Sequence, residues 1–267
     1  MNNVVLYCKS FSGDVQRVKI LLQSVENHNK DNIPFYISVP STDITLFKHV
    51  LGTANYTLIS DEEIINTNLC QSWKNQQVVK MMFWKLNLAP NYIVIDSDAY
   101  FIRDYYISDF IHHDSTPYTI IHEQKDMFSW AIVNFGRLGF NPIESFKECR
   151  LPIMELFERK GKLYDFGSMP VVWSNLVWQT LEEEYIKPNN LTFQRLIDTI
   201  SSEFTWYGEW LLTRKPIELW PSEHIFKGFH YMQQYQDYKQ LGYKEEDWAK
   251  LYLGVVMQSS SGLPLKY

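Results

Sequence analysis

Apolar residues at Val4 to Tyr7 are followed by the turn-forming stretch Cys8-Lys9-Ser10-Phe11-Ser12-Gly13-Asp14, so the chain is expected to open on a β-strand ending in a turn. From Val15 to Asn27 the apolar positions Val15, Val18, Leu21, Leu22 and Val25 recur on one helix face, with Asp14 where an N-cap belongs. The alternation continues with a strand over Pro34 to Val39, a helix over Thr42 to Val50 and a strand over Tyr56 to Ile59. This β-α-β-α-β opening predicts a parallel sheet covered by helices. After Cys70, the stretch Gln76 to Leu88 reads as a helix with Val79, Met82, Phe83 and Leu86 on one face, stopped by Ala89-Pro90-Asn91. Tyr92-Ile93-Val94-Ile95 is a continuous apolar run, the pattern of a strand buried on both faces, and it ends in Asp96-Ser97-Asp98.

Beyond this point Tyr118 to His122 reads as a strand, Pro142 to Lys160 as a helix, and Pro170 to Glu184 as a strand followed by a helix. From Leu191 short helices alternate with aromatic-rich connections, and the Ser/Gly/Pro-containing segment 258–267 is expected to be loose. No repeat, low-complexity tract or linker interrupts the pattern, so 1–267 is read as a single domain. A half of about 1–110 would precede a half of about 111–257 and a tail, 258–267.

Composition changes this picture in three places. With 25 Lys and Arg against 31 Asp and Glu the net charge is −6, which argues against nucleic acid as a partner. No run of 18 apolar residues occurs, so no spanning segment is expected, and the first residues lack a basic stretch leading into an apolar one. A cytoplasmic location is expected, with peripheral association at the inner face of a membrane compatible with it. Cys8, Cys70 and Cys149 are odd in number and far apart, so neither a disulfide framework nor a zinc cluster is implied. Aromatic content reaches 16%; most rings must be core, while a surplus of Trp and Tyr also suits stacking against sugar rings.

Asp96-Ser97-Asp98 carries the candidate chemistry. In open parallel sheets, ligands sit outside the carboxyl ends of the strands. Two carboxylates on a short turn behind a buried strand call for a compensating cation. Oxygen-ligand metals such as Mg²⁺ and Mn²⁺ take such carboxylates, completed by water and phosphate oxygens, and would neutralise charge on a departing diphosphate.

Lys80, Trp84, Tyr92-Ile93-Val94-Ile95 and Asp96-Ser97-Asp98 stand in the order and near the spacing seen in the nucleotide-diphospho-sugar-binding core of GT-A-fold glycosyltransferases, glycogenin-like members above all. Leu6-Tyr7-Cys8-Lys9-Ser10 with Asp14 and Arg17 resembles the first strand and nucleotide-contacting turn of bacterial and viral GT-A-like proteins. The resemblance covers roughly residues 4 to 110. It implies a GT-A-like three-layer α/β/α sandwich with a mostly parallel central sheet. It further implies a nucleotide-diphosphate sugar donor (a UDP- or GDP-sugar), a glycan acceptor and Mn²⁺ or Mg²⁺ as cofactor.

On that resemblance Asp98 is the direct metal ligand, and Asp96 touches the donor ribose, the metal, or both; Ser97 lies between them. Lys80 approaches the ribose or phosphates, or else is a solvated helix lysine. Tyr7, Cys8 and Lys9 line the base pocket. Arg17 reaches a phosphate or pairs with Asp14.

In the second half, Asp165-Phe166-Gly167-Ser168 sets small residues beside an acid ahead of a strand, either a substrate floor or an ordinary turn. Glu203-Phe204-Thr205-Trp206-Tyr207-Gly208-Glu209-Trp210 places two carboxylates among large rings, where desolvation raises a carboxyl pKa towards that of a general base. Glu203 is favoured as base, with Asp165 and Glu209 behind it; Glu203 could equally complement a helix dipole. The rings of Trp173, Trp206, Tyr207, Trp210 and Trp220 are expected to form an acceptor wall. GT-A enzymes often complete the metal shell with a C-terminal histidine. Here His230 is preferred over His224, and Lys227 is the candidate diphosphate contact, although the order of histidine, glycine and lysine departs from the glycogenin-like pattern.

The reading is therefore a metal-dependent glycosyltransferase. A nucleotidyltransferase is the nearest enzyme alternative, but the first turn holds one glycine where a Gly-rich basic loop would be expected. A non-catalytic carbohydrate-binding protein on the same fold would be favoured by loss of the paired aspartates, and they are present.

Overall fold

The structure, a computed structural model, describes residues 3–65, 72–139, 141–167 and 169–267; Cys70 and Ser168 lie outside the described residues. Its strands are β1 (Val4–Lys9), β2 (Phe35–Val39), β3 (Thr57–Ser60), β4 (Asn91–Val94), β5 (Ala99–Phe101), β6 (Tyr118–Ile120), β7 (Val171–Ser174), β8 (Trp220–Ser222), β9 (Phe226–Phe229) and β10 (Gly254–Met257). The helices are α1 (Val15–His28), α2 (Ile44–Leu51), α3 (Asp61–Ile65), α4 (Trp73–Met82), α5 (Lys125–Leu138) and α6 (Pro142–Leu156). They continue with α7 (Asn175–Leu181), α8 (Phe193–Thr199), α9 (Glu203–Arg214), α10 (Met232–Gln240) and α11 (Glu245–Trp248).

The central sheet runs β3-β2-β1-β4-β7, parallel through its first four strands and antiparallel at β7. Strand alternation splits the core in two. Val4, Leu6, Cys8, Ile93 and Ile95 pack on one face against Val18, Leu21 and Leu22 of α1 and Phe47 of α2. Val5, Tyr7, Tyr92 and Val94 pack on the other against Val79 of α4, Trp178 of α7 and Trp206 and Tyr207 of α9. Both faces of the sheet are thus covered, which is why the central strands read as unbroken apolar runs. The α/β class with a mostly parallel central sheet is the one expected from the sequence.

The expected acceptor wall is corrected by this packing. Trp173, Trp206, Tyr207 and Trp210 are all no more than 4% exposed and close the core, while Trp220 stacks on His112 at 3.8 Å. Burying such large rings gains more than leaving them on a wet surface.

Gly208 in α9 is part of the same packing. A Cβ there would fall 2.0 Å from the ring of Phe166, itself buried. Alanine normally favours a helix interior over glycine by about 1 kcal/mol. Here overpacking of roughly 1–3 kcal/mol opposes it. Gly208→Ala is therefore expected to lower the midpoint of thermal unfolding followed by circular dichroism; a raised midpoint would contradict the packing.

A second sheet, β5-β10-β9, pairs β10 antiparallel to β5 and parallel to β9. The segment after β10 is consequently laid beside Asp98, and it is not loose. Leu263 is buried, Tyr267 stacks on Phe229 at 4.9 Å and its amide donates to the Tyr100 hydroxyl at 2.8 Å.

Candidate functional site

At the carboxyl end of the central sheet lies a cavity of about 600 Å³. Its wall combines Lys9 at the end of β1, Phe11 and Asp14 after it, Asp61 and Glu62 of α3, Trp73, Gln76 and Lys80 of α4, the turn Asp96-Ser97-Asp98, Glu203 and Phe204 of α9, and Gln258 to Ser260.

The aspartate turn is built by two backbone bonds. The Ile95 amide donates to the Tyr7 carbonyl at 2.9 Å, extending the ladder beyond β4, and the Ala99 amide donates to the Asp96 carbonyl at 3.1 Å, closing a β-turn into β5. Between these anchors Asp96 and Asp98 stand at the cavity, while the Ser97 hydroxyl donates to Asp14 Oδ2 at 2.9 Å. Asp98 Oδ2 accepts the Ser259 amide at 2.8 Å. Burial first, and the neighbouring Asp96 carboxylate second, push the Asp98 carboxyl up to about 6.

Lys80 comes from the last turn of α4, and its carbonyl accepts the Tyr92 hydroxyl at 3.1 Å. Its Nζ lies 2.6 Å from Asp96 Oδ1 and 3.5 Å from Glu203 Oε1, with the lysine side chain 3% exposed. Burial opposes its charge, but the carboxylates of Asp96 and Glu203 outweigh burial and raise its pKa. The lysine is therefore a buried bridge and not a solvated helix residue. Glu203 opens α9 with its side chain 6% exposed. Burial raises its pKa against the pull of Lys80. Ser202 does not cap the helix with its side chain; its hydroxyl pairs with Thr205 Oγ1 at 2.6 Å.

The structure thus brings Lys9, Asp14, Lys80, Asp96, Ser97, Asp98 and Glu203 to one cavity. Several candidates are engaged in other contacts. Tyr7 is core, stacked on Phe83 at 3.7 Å with its hydroxyl 2.8 Å from Ser38 Oγ, and Cys8 is fully buried, its thiol pushed up by burial and then by Asp96. Lys9 is paired with Asp61 at 2.9 Å. Arg17 donates to the carbonyls of Met257 and Leu263 at 3.3 and 2.8 Å, so it braces the chain instead of pairing with Asp14.

Asp165 is buried against Arg150 at 2.7 Å and also accepts from Gln124; despite burial, Arg150 and Gln124 keep its pKa below the usual value. Glu209 is buried in a bidentate pair with Arg159. His224 packs on His122 with ring centres 3.9 Å apart, and burial, then His122, pushes it down to about 3. His230 lies over Gly228, and burial pushes its pKa down. Lys227 sits over the rings of Tyr238 at 4.6 Å and Trp248 at 5.1 Å.

Several wall residues escaped the sequence reading. Phe11 and Trp73 are 43% and 63% exposed, and Asp61 and Gln258 to Ser260 come from segments whose pattern announced only a turn and a tail. Exposed rings at a strand-end turn were the available signal for Phe11. Nothing local marked the serines.

A family profile matches residues 4–248. The chain belongs to DUF6492, a family of unknown function. Among solved structures, the chain is similar to the apo form of mouse xyloside xylosyltransferase 1, at 8% identity and a TM-score of 0.49, over 98% of this chain and 99% of that one. No curated protein matches it. Among the described residues of this DUF6492 member, no helix is long and apolar enough to cross a membrane, and no group of three or more His, Cys, Asp and Glu side chains is arranged to hold a metal ion.

Proposed function

We propose that this DUF6492 protein is a metal-dependent glycosyltransferase of GT-A type, moving a sugar from a nucleoside-diphosphate donor to a hydroxyl of a glycan acceptor. The observation that carries the reading is the convergence of Asp96, Asp98, Lys80 and Glu203 on one cavity at the carboxyl end of a parallel sheet.

The donor set fits a hard divalent ion. The cavity wall carries the carboxylates of Asp14, Asp61, Glu62, Asp96, Asp98 and Glu203 against the two lysines Lys9 and Lys80, both already paired. A diphosphate would meet net repulsion there without a cation. Asp98, with Asp96, would hold Mn²⁺ or Mg²⁺, and water and phosphate oxygens would complete its shell. When bound, the ion supplies charge neutralisation for the leaving diphosphate.

The chain's own residues then divide the work. Lys80 keeps the Asp96 carboxylate and Glu203 on the same side of the cavity. In a direct displacement the acceptor hydroxyl proton passes to Glu203, its oxygen bonds to the anomeric carbon, and the bond from that carbon to the phosphate oxygen breaks with its electron pair leaving on the diphosphate. Glu203 is preferred over Asp165 and Glu209 because it lines the cavity, whereas their carboxylates are held by Arg150 and Arg159 outside its wall.

The test is calorimetric titration with UDP, GDP and CMP, each with and without Mn²⁺. Metal-dependent binding of one nucleotide is expected, and binding of none in either condition would overturn the reading. Glu203→Gln is expected to lower sugar transfer by about 10³-fold while nucleotide affinity changes by no more than a few-fold, the range for a general base. Unchanged turnover would remove Glu203 from that role.

A further inference from the structure

With Asp96 and Asp98 proposed as the carboxylates that hold the cation, the orientation of each matters. Asp98 is held from a single neighbouring segment. Its carbonyl accepts the Met257 amide at 2.8 Å and its Oδ2 accepts the Ser259 amide at 2.8 Å, so residues 257–259 run beside it as an extension of the β5-β10 ladder. That segment is in turn fixed by contacts away from the cavity. Arg17 brackets it, donating to the carbonyls of Met257 and Leu263. The Ser261 hydroxyl donates to the His230 carbonyl at 2.7 Å, and Leu263 is 2% exposed.

We infer that the segment from Gln258 to Leu263 is a positioning strap for the cation site, and that the Ser259 backbone amide is the group that sets the Asp98 carboxylate. This rests on the proposed metal-dependent reading. With Oδ2 engaged by a fixed amide, the carboxylate no longer rotates freely. The cost of ordering it is met on folding and not on binding. Arg17, read in the sequence as a phosphate contact or a partner of Asp14, acts here as the buckle of the strap.

The amide can be deleted with little change of shape. Ser259 opens a single helical turn, Ser259–Ser261, a position where proline is tolerated, and the preceding Gln258, at φ −48° and ψ 105°, lies outside the α region that a following proline disfavours. Mn²⁺ binding to the full chain is measured by the loss of the free-ion electron paramagnetic resonance signal for wild type, Ser259→Ala, Ser259→Pro and Leu263→Ala. Ser259→Ala is expected within twofold of wild type. Ser259→Pro is expected to bind about tenfold more weakly, the lower range for loss of a group that orients a metal ligand. Leu263→Ala loosens the strap without touching residue 259 and is expected to weaken binding roughly threefold, by the same reasoning.

Hydrogen exchange of the β1 and β4 amides reports whether each variant keeps its fold. Wild-type affinity in both Ser259→Pro and Leu263→Ala overturns the strap while leaving the metal reading in place. An equal loss in Ser259→Ala and Ser259→Pro moves the role to the hydroxyl and overturns it as stated. Absence of Mn²⁺ binding by wild type, both alone and with UDP or GDP present, overturns both readings.

Discussion

Asp98→Ala is expected to weaken Mn²⁺-dependent binding of UDP or GDP by about 100-fold or more, measured by calorimetry, equivalent to roughly 3 kcal/mol. Asp98 is one of two carboxylates at the end of β4 that the proposed site can offer a cation, and the excess of acids around it repels a bare diphosphate. The variant should fold, because the neighbouring backbone bonds from Met257 and Ala99 do not involve the Asp98 side chain. A pH series gives an independent check. The Asp98 carboxyl is raised to about 6 by burial and by Asp96, so the charged form needed for a cation is lost as pH falls through that value. Mn²⁺ affinity should therefore drop between pH 7 and 5. In the metal-free protein the same shift acts in the opposite sense: a carboxyl whose folded pKa is raised favours folding most when protonated, and that contribution fades as pH rises through about 6. Metal-independent nucleotide binding, unchanged in Asp98→Ala, would count against the site.

Lys80→Met is the second large effect, and it falls on stability as well as binding. The lysine is 3% exposed and serves both Asp96 and Glu203, so its loss strands a buried carboxylate. Removing one partner of a buried ion pair costs about 3–5 kcal/mol. For a chain of this size the unfolding midpoint should fall by roughly 10 °C. Glu203 can relieve the penalty by protonating, since its pKa is already raised by burial and loses the opposing pull of Lys80. The sign follows: stability from a carboxyl with a raised folded pKa is lost as pH rises, so the deficit of Lys80→Met should be smaller at pH 5 than at pH 8. Adding Glu203→Gln to Lys80→Met should recover part of the midpoint, whereas additive losses in the double variant would show that the bridge contributes little.

How much of this was legible from the chain varies along it. The strand at Val4, the helix from Val15 and the buried run at Tyr92-Ile93-Val94-Ile95 are found where their periodicity puts them. Helix α5 and the short strands β5, β8, β9 and β10 left no comparable pattern, since three- and four-residue strands are too brief for alternation to register. The helix read over Gln76 to Leu88 begins earlier, at Trp73, where Ser72 accepts the Asn75 amide, and tightens after Met82 into a narrower turn.

The sequence by itself determined the α/β class and the position of Asp96 and Asp98 at a strand end, because hydrophobic alternation is a local signal and a strand's end is written in the residues that follow it. Only the tertiary structure decided which other groups meet those aspartates. Lys80 and Glu203 are 123 positions apart and are joined by packing of α4 against α9, and Ser259 reaches Asp98 across 161 positions through the β5-β10 pairing. The same long-range packing took Asp165, Glu209, His224 and Lys227 to other partners. A buried charge or polar ring settles against whatever complementary group the fold brings to it, and sequence spacing carries no record of that encounter.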